Sequence, residues 1–280
     1  MPKVFLPEMS FAEVEDILGQ VALAIIPTGS TEGHGPHLPL KVDAATSTFV
    51  ACKAAEALHP RVLVTPCLAV GHSPQHLEFP GSMTLRWETQ VRVLMDYCSS
   101  LKGYGIRRFA LLNGHGNNMA VNAQAARQIT EELGVRVASF AYWECIDREA
   151  ITRINEGRHY PGHADEFETS MILHICPEHT RMDRLHEIED KYGLFGPGFQ
   201  PAPGEQFLAS TTFTQRGLRQ RLLCDVGAEN YKGASAEKGA QFAALAVEGV
   251  VRYLRDFIEK VPVAYGRGSA AHSVVSQGTT

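Results

Sequence analysis

Short unbroken apolar runs alternate along the chain with longer stretches whose apolar residues recur every three or four positions. The runs from Val21 to Pro27 (VALAIIP), Val62 to Thr65, Arg108 to Leu112 (RFALL) and Val135 to Tyr142 (VRVASFAY) predict strands, buried on both faces where the apolar run is continuous. Between them, residues 43–58, 88–101 and 118–133 predict helices, and in the second of these Val91, Leu94, Met95 and Cys98 form one apolar stripe. Residues 165–175 predict a helix that is apolar almost all round. A long helix follows over 235–258, with Ala240, Ala244, Val247 and Val251 on one face. Strand–helix alternation with short connections predicts an α/β fold, a doubly wound and mainly parallel sheet flanked by helices on both faces, in a single domain over residues 1–262. Residues 193–209, rich in Gly, Pro and Phe, predict an irregular loop. The small, polar stretch 263–280 predicts a disordered tail.

Composition narrows the function classes. Of 280 residues, 44 % are hydrophobic and 20 % charged, enough for a sizeable core. The net charge of −5, with Lys and Arg scattered, leaves no basic footprint for nucleic acid. No apolar run is long enough to predict a membrane span. Cysteines stand singly at 52, 67, 98, 145, 176 and 224, with no Cys-x-x-Cys pair, which predicts free thiols in a reducing compartment. The first residues carry no apolar signal segment, so the expected location is cytoplasmic.

Three segments carry ligand-type side chains. Gly29-Ser30-Thr31-Glu32-Gly33-His34-Gly35-Pro36-His37 follows the first predicted strand, and Asp43 opens the next helix. Asn113-Gly114-His115-Gly116-Asn117-Asn118 follows the third predicted strand. Gly162-His163-Ala164-Asp165-Glu166-Phe167-Glu168 leads into the apolar helix. Loops after strand carboxyl ends build the sites of open α/β sheets, so the first two segments are expected at one edge. Taken alone, Asp43 reads equally well as a helix cap, and Asn-Gly-His-Gly as a strand-to-helix turn. Glu168 lies in an apolar helix and requires a partner; a cation, an arginine or backbone N–H groups would each serve. If Glu32, Asp43 and Glu168 converge, their charges need compensation, and two divalent cations supply it, with Asp43 placed to bridge them. The nitrogen and oxygen donor set suits zinc, manganese or iron. His163, at the helix mouth, is a candidate proton carrier. Trp143, Tyr160, His76 and Ser73 are candidates for the substrate pocket. His-Glu-x-x-His, Gly-x-Ser-x-Gly and phosphate-loop motifs are absent from the sequence.

These segments, together with Phe79-Pro80-Gly81 and Ala236-Glu237-Lys238-Gly239, resemble the creatininase (creatinine amidohydrolase) family. The resemblance implies a metal-dependent hydrolase with a two-metal site and a homo-oligomeric assembly, often a hexamer. It implies Glu32, His34, Asp43 and His115 as metal ligands, Glu168 as a further site glutamate and His163 as the proton-transfer histidine. The chain departs from creatininase proper where Asn117 replaces a metal-ligating glutamate. Trp143 matches one of two substrate-enclosing tryptophans, while Arg158-His159-Tyr160-Pro161 offers no second. The expected reaction is attack of metal-activated water on the carbonyl of a small polar cyclic amide or formamide. The alternatives are ring-opening of a cyclic diketone of the 3-dehydro-scyllo-inosose type, or a catalytically silent metal-binding assembly protein.

Overall fold

A computed structural model describes residues 2–156, 162–185 and 233–263. The predicted loop at 193–209 and the tail from 264 onward lie outside the described residues.

Four parallel strands, β1 (Leu23–Thr28), β2 (Val62–Val64), β3 (Arg108–Asn113) and β4 (Arg136–Ala141), pair in the order β2-β1-β3-β4. Each apolar run became a strand because alternate side chains are buried on opposite faces. Leu23 and Ile25 of β1, with Ala110 and Leu112 of β3, pack into a core with Val50, Ala54, Phe167, Met171, Phe242 and Val250. Ala24 and Ile26, with Phe109 and Leu111, pack on the other face against Val91, Leu94, Cys98, Val121 and Ile129. The first core is supplied by α2 (Val42–Ala57), α6 (Glu166–Ile175) and α7 (Ala236–Lys260), the second by α3 (Trp87–Gly103) and α4 (Asn118–Leu133). Helices therefore cover both faces, as expected of a parallel sheet.

Among the described residues two short helices add to those expected. α1 (Phe11–Leu18) is held by a capping box in which Ser10 and Glu13 exchange hydrogen bonds, a local Ser-x-x-Glu signature. α5 (Arg148–Ile154) is capped by Asp147. The predicted strand 135–142 ends one residue early, and Tyr142–Cys145 turns into a 3-10 segment.

The chain leaves β1 toward β2 on one side and returns to β3 on the other. β1 and β3 are thus the neighbours at which the winding reverses, and in such sheets ligands bind beyond the carboxyl ends of the strands at that point. The Glu32–His34 loop leaves β1 there, and the His115 turn leaves β3.

Candidate metal centre

Close packing of loop and helix backbone brings the segments together. A Cβ on Gly114 would lie 2.2 Å from the Asp43 carbonyl oxygen, and one on Gly29 only 2.5 Å from the Ala44 nitrogen. Glycine at both positions lets the first turn of α2 sit directly between the β1 and β3 loops. Asp43 lies inside that turn and is not its cap, since Lys41 occupies the cap position. The carboxylate instead reaches between two imidazoles, with Oδ1 3.0 Å from His34 Nε2 and Oδ2 3.0 Å from His115 Nδ1.

Around this axis lie the remaining residues. Glu32 Oε1 is 3.2 Å from His115 Nδ1, 3.4 Å from His76 Nε2 and 3.8 Å from His163 Nδ1. Glu168 Oε2 is 3.6 Å from His34 Nε2 and accepts a hydrogen bond from the Ala164 N–H. Among the described residues, donor atoms gather within 4.8 Å in three overlapping triads, Glu32–Asp43–His115, His34–His163–Glu168 and Glu32–His76–His163. Glu32, His34, Asp43 and His115 are all buried, and Glu168 and His163 are nearly so.

Hydrogen bonds of the rings test whether these residues suit a cation. His34 Nδ1 is 3.1 Å from the Glu32 carbonyl, His115 Nε2 3.3 Å from the His72 carbonyl and His163 Nε2 2.7 Å from the Gly33 carbonyl. A carbonyl only accepts, so each of these nitrogens carries the proton. In a neutral ring the other nitrogen then keeps its lone pair, and in all three rings that nitrogen faces the carboxylates. This is the tautomer that metal-ligating histidines adopt when a backbone carbonyl takes their second N–H. His34 Nε2 and Asp43 Oδ2 are buried without a hydrogen bond of acceptable direction, although acid and base lie close to both. Close approach without bonding is what ligands of a shared ion show. The residues fit a divalent cation.

Electrostatics point the same way. Burial pulls the His34 imidazole down, but Asp43, Glu168 and Glu32 outweigh it and raise the ring to about 10. Burial pulls the His115 ring down too, but the charges of Asp43 and Glu32 outweigh it and raise the ring to about 10. Burial raises Glu168 to about 8 despite His34, with Asp43 and Asp165 adding to the rise. Burial and the His34 and His76 charges hold His163 well below the usual imidazole range. Burial, opposed by Glu32, takes His76 down to about 4. The carboxylates thus demand positive charge, and without a metal, protons on His34 and His115 meet that demand.

The other expected site residues lie as follows. Ser73 is fully buried, and its hydroxyl donates to Glu32 Oε2. His76 stands inside the cluster, its ring 4.6 Å from that of His163. Trp143 packs against the first core with its ring edge-on to Tyr142 at 5.2 Å. Asn117 is exposed at the start of α4. Tyr160 lies outside the described residues. Two further residues beside the cluster carry no expected role. Asp165 caps α6, accepting from the Glu168 and Gly162 N–H groups, and its Asp-x-x-Glu spacing was a legible capping signal. Tyr142 is fully buried and held well above the usual phenol range by burial and by Glu168, and no pattern along the chain marked it.

Comparison with known proteins places the chain in a family. The family model described as creatinine amidohydrolase matches residues 7–254. A mycofactocin precursor peptide peptidase of Mycobacterium ulcerans is 34 % identical over 168 residues, spanning 58 % of this chain and 61 % of that protein, so the match covers about three fifths of the relative's own length. Creatinine amidohydrolase of Pseudomonas putida is 28 % identical over 246 residues, 80 % of this chain and 94 % of that one. A 3-dehydro-scyllo-inosose hydrolase of Thermotoga maritima is 29 % identical over 271 residues, 92 % and 85 % of the two chains. A solved manganese creatininase superposes with a TM-score of 0.75 at 25 % identity, covering 92 % of this chain and all of that one. A Zn-Zn type of a creatininase variant gives 0.74 with the same identity and coverage. With a matching family model over nearly its whole length and the fold of the solved creatininases, this chain belongs to the creatininase family of hydrolases.

Proposed function

We propose that the protein is a divalent-cation-dependent hydrolase that cleaves the C–N bond of a small polar amide, either a cyclic amide or a formamide. The observation that carries this reading is the convergence of three carboxylates with three imidazoles whose carbonyl-bonded tautomers turn their lone pairs toward those carboxylates. In this reading Glu32, Asp43 and His115 would hold one cation, and His34 and Glu168, with Asp43 beside them, a second. Glu168 then supplies the carboxylate that Asn117 does not. Zinc, manganese or iron suits the donor set, and cations of this kind supply Lewis acidity to a water and to a carbonyl oxygen.

The chain's own groups manage the proton. His163 Nε2 is committed to the Gly33 carbonyl, so transfer runs through Nδ1. Held neutral at working pH, that nitrogen takes a proton from the attacking water and passes it to the leaving nitrogen. Ser73 fixes the rotamer of Glu32 by holding Oε2 and leaving Oε1 to the cluster. Asp165 and the Ala164 N–H orient Glu168 from the helix start.

A second reading has one observation in its favour: the relative named for an inosose hydrolase matches over 92 % of this chain. Water attack would be unchanged there, but a carbon–carbon bond would break in a cyclic diketone. A panel of cyclic amides, N-formyl amines, short peptides and cyclic diketones, assayed with Mn²⁺- or Zn²⁺-loaded protein, separates the two. Release of amine or ammonia is expected. Ring-opened keto acids alone would transfer the assignment to the second reading, and no turnover by cation-loaded protein would overturn both. His163→Ala should lower kcat by about 10²–10⁴-fold with cation content unchanged, as loss of a proton-transfer group does.

A further inference from the structure

Beneath the cluster, on the side of α3 and α4, four uncharged polar side chains interrupt an otherwise apolar layer. Gln90, Asn122, Thr28 and Asn113 are each at most 1 % exposed. They connect in one direction. Gln90 Nε2 donates to Asn122 Oδ1 at 2.9 Å, and Asn122 Nδ2 donates to Thr28 Oγ1 at 2.8 Å. Thr28 Oγ1 donates to Asn113 Oδ1 at 3.2 Å, and Asn113 Nδ2 donates to the His115 carbonyl at 2.6 Å. Asn113 Oδ1 also accepts from the His115 N–H at 3.1 Å, so one side-chain amide grips both polar groups of that peptide turn.

We infer that this relay, running from α3 through α4 and β1 to β3, consists of positioning residues that set the orientation of His115 toward the cation. The inference rests on His115 being a ligand. Its warrant is directional. The Asn122 amide presents N–H to Thr28, which leaves the threonine proton only Asn113 Oδ1 to bond. That fixes which way the Asn113 amide faces, and a reversed amide would set two N–H groups against each other at His115. Head-to-tail bonds of this kind polarise one another in a low-dielectric interior. Burying such groups in an apolar layer costs free energy compared with apolar side chains of the same shape, so stability alone is a poor reason for them. The far end makes the same point: Gln90 Oε1 is buried with no hydrogen-bond partner, so the amide is turned to serve the chain at the expense of its own acceptor. The side-chain hydrogen bonds of Gln90, Asn122 and Thr28 reach His115 through Asn113.

The test breaks the chain in the middle with a near-isosteric change. Thr28→Val removes the hydroxyl and keeps the shape; Thr28→Ser keeps the hydroxyl. Affinity for Zn²⁺ and Co²⁺ is measured by chelator competition, and the Co²⁺ absorption bands report ligand geometry. Thr28→Val is expected to weaken cation affinity about 10- to 100-fold, the range seen when groups orienting metal ligands are lost, and to shift the Co²⁺ bands. Thr28→Ser is expected to restore both. Gln90→Met, at the distant end, should shift affinity in the same direction by less, and it tests the chain if Thr28→Val does not fold. Wild-type affinity and bands in Thr28→Val, in a protein whose His115→Ala variant loses the cation, would overturn the relay while leaving the ligand reading intact. Unchanged affinity in His115→Ala would overturn the ligand reading and the relay with it.

Discussion

At the scale of single residues, the site depends as much on missing side chains as on present ones. Gly114 is the sharpest case, because the Asp43 carbonyl occupies the space in which its Cβ would lie, at 2.2 Å. Gly114→Ala must push α2 away from the His115 turn, which separates Asp43 from His115. Displacements of about 1 Å in a catalytic constellation can cost about 100-fold in rate. We expect kcat/KM to fall at least that far in Gly114→Ala and cation affinity to fall with it, both read on one preparation by turnover and chelator competition. A variant that keeps wild-type affinity would show that Asp43 and His115 do not share an ion. The histidines illustrate a second residue-scale point. Glu-x-His and His-Gly motifs mark candidate ligands, but the tautomer that turns each free lone pair toward the carboxylates is set by the carbonyls of Glu32, Gly33 and His72, which no side-chain pattern encodes.

At the scale of elements, α7 and α6 form the scaffold behind Glu168. Gly239 sits where the helices cross, and a Cβ there would lie 1.9 Å from the Ser170 carbonyl oxygen. Ser235, the α7 cap, also receives contact from α6, its N–H donating to Ser170 Oγ at 3.2 Å. Nearby, Lys238 of α7 lies 2.5 Å from Glu166 in the first turn of α6. Gly239→Ala should therefore destabilise the protein by about 1–3 kcal/mol, the usual cost of overpacking, measured by urea denaturation. Gly103→Ala is the control, since nothing lies within 4 Å of its Cβ; it should be neutral or stabilising by up to about 1 kcal/mol. Equal losses in both would mean that helix crossing is not what Gly239 serves. These crossings explain why the Ala236–Gly239 motif belongs with the site despite lying outside it. The strands and the long helices were legible from apolar periodicity because each buries one stripe or both faces. α1 and α5 are only about two turns long, so the apolar spacing of Phe11, Val14, Ile17 and Leu18 in α1 is too brief to stand out, and their capping residues mark them as clearly.

At the scale of the whole molecule, the cluster couples folding to protons and cations. Without a cation, His34 and His115 are raised to about 10 and Glu168 to about 8, so the folded state binds more protons than the unfolded state over the range between ordinary and raised values. Stability from His34 and His115 is fully present below about pH 6.5 and is lost as pH rises through about 10, with the Glu168 share lost through about 8. Protein stripped with a chelator should show a falling Tm from pH 6.5 to 10, whereas cation-loaded protein should hold its Tm, because the cation replaces those protons. A flat Tm in the stripped protein would contradict the charge demand described above. The sequence by itself determined the strand–helix alternation, the two apolar faces of the sheet and the three ligand-bearing segments, because burial periodicity and glycine-rich turns are local properties of the chain. Only the tertiary structure decided that Asp43 bridges two imidazoles instead of capping a helix, that Ser73 and His76 serve Glu32, and that a buried amide chain ends on His115. Those outcomes depend on the distance and direction between segments far apart in sequence, which are set by how two layers of helix close on one sheet.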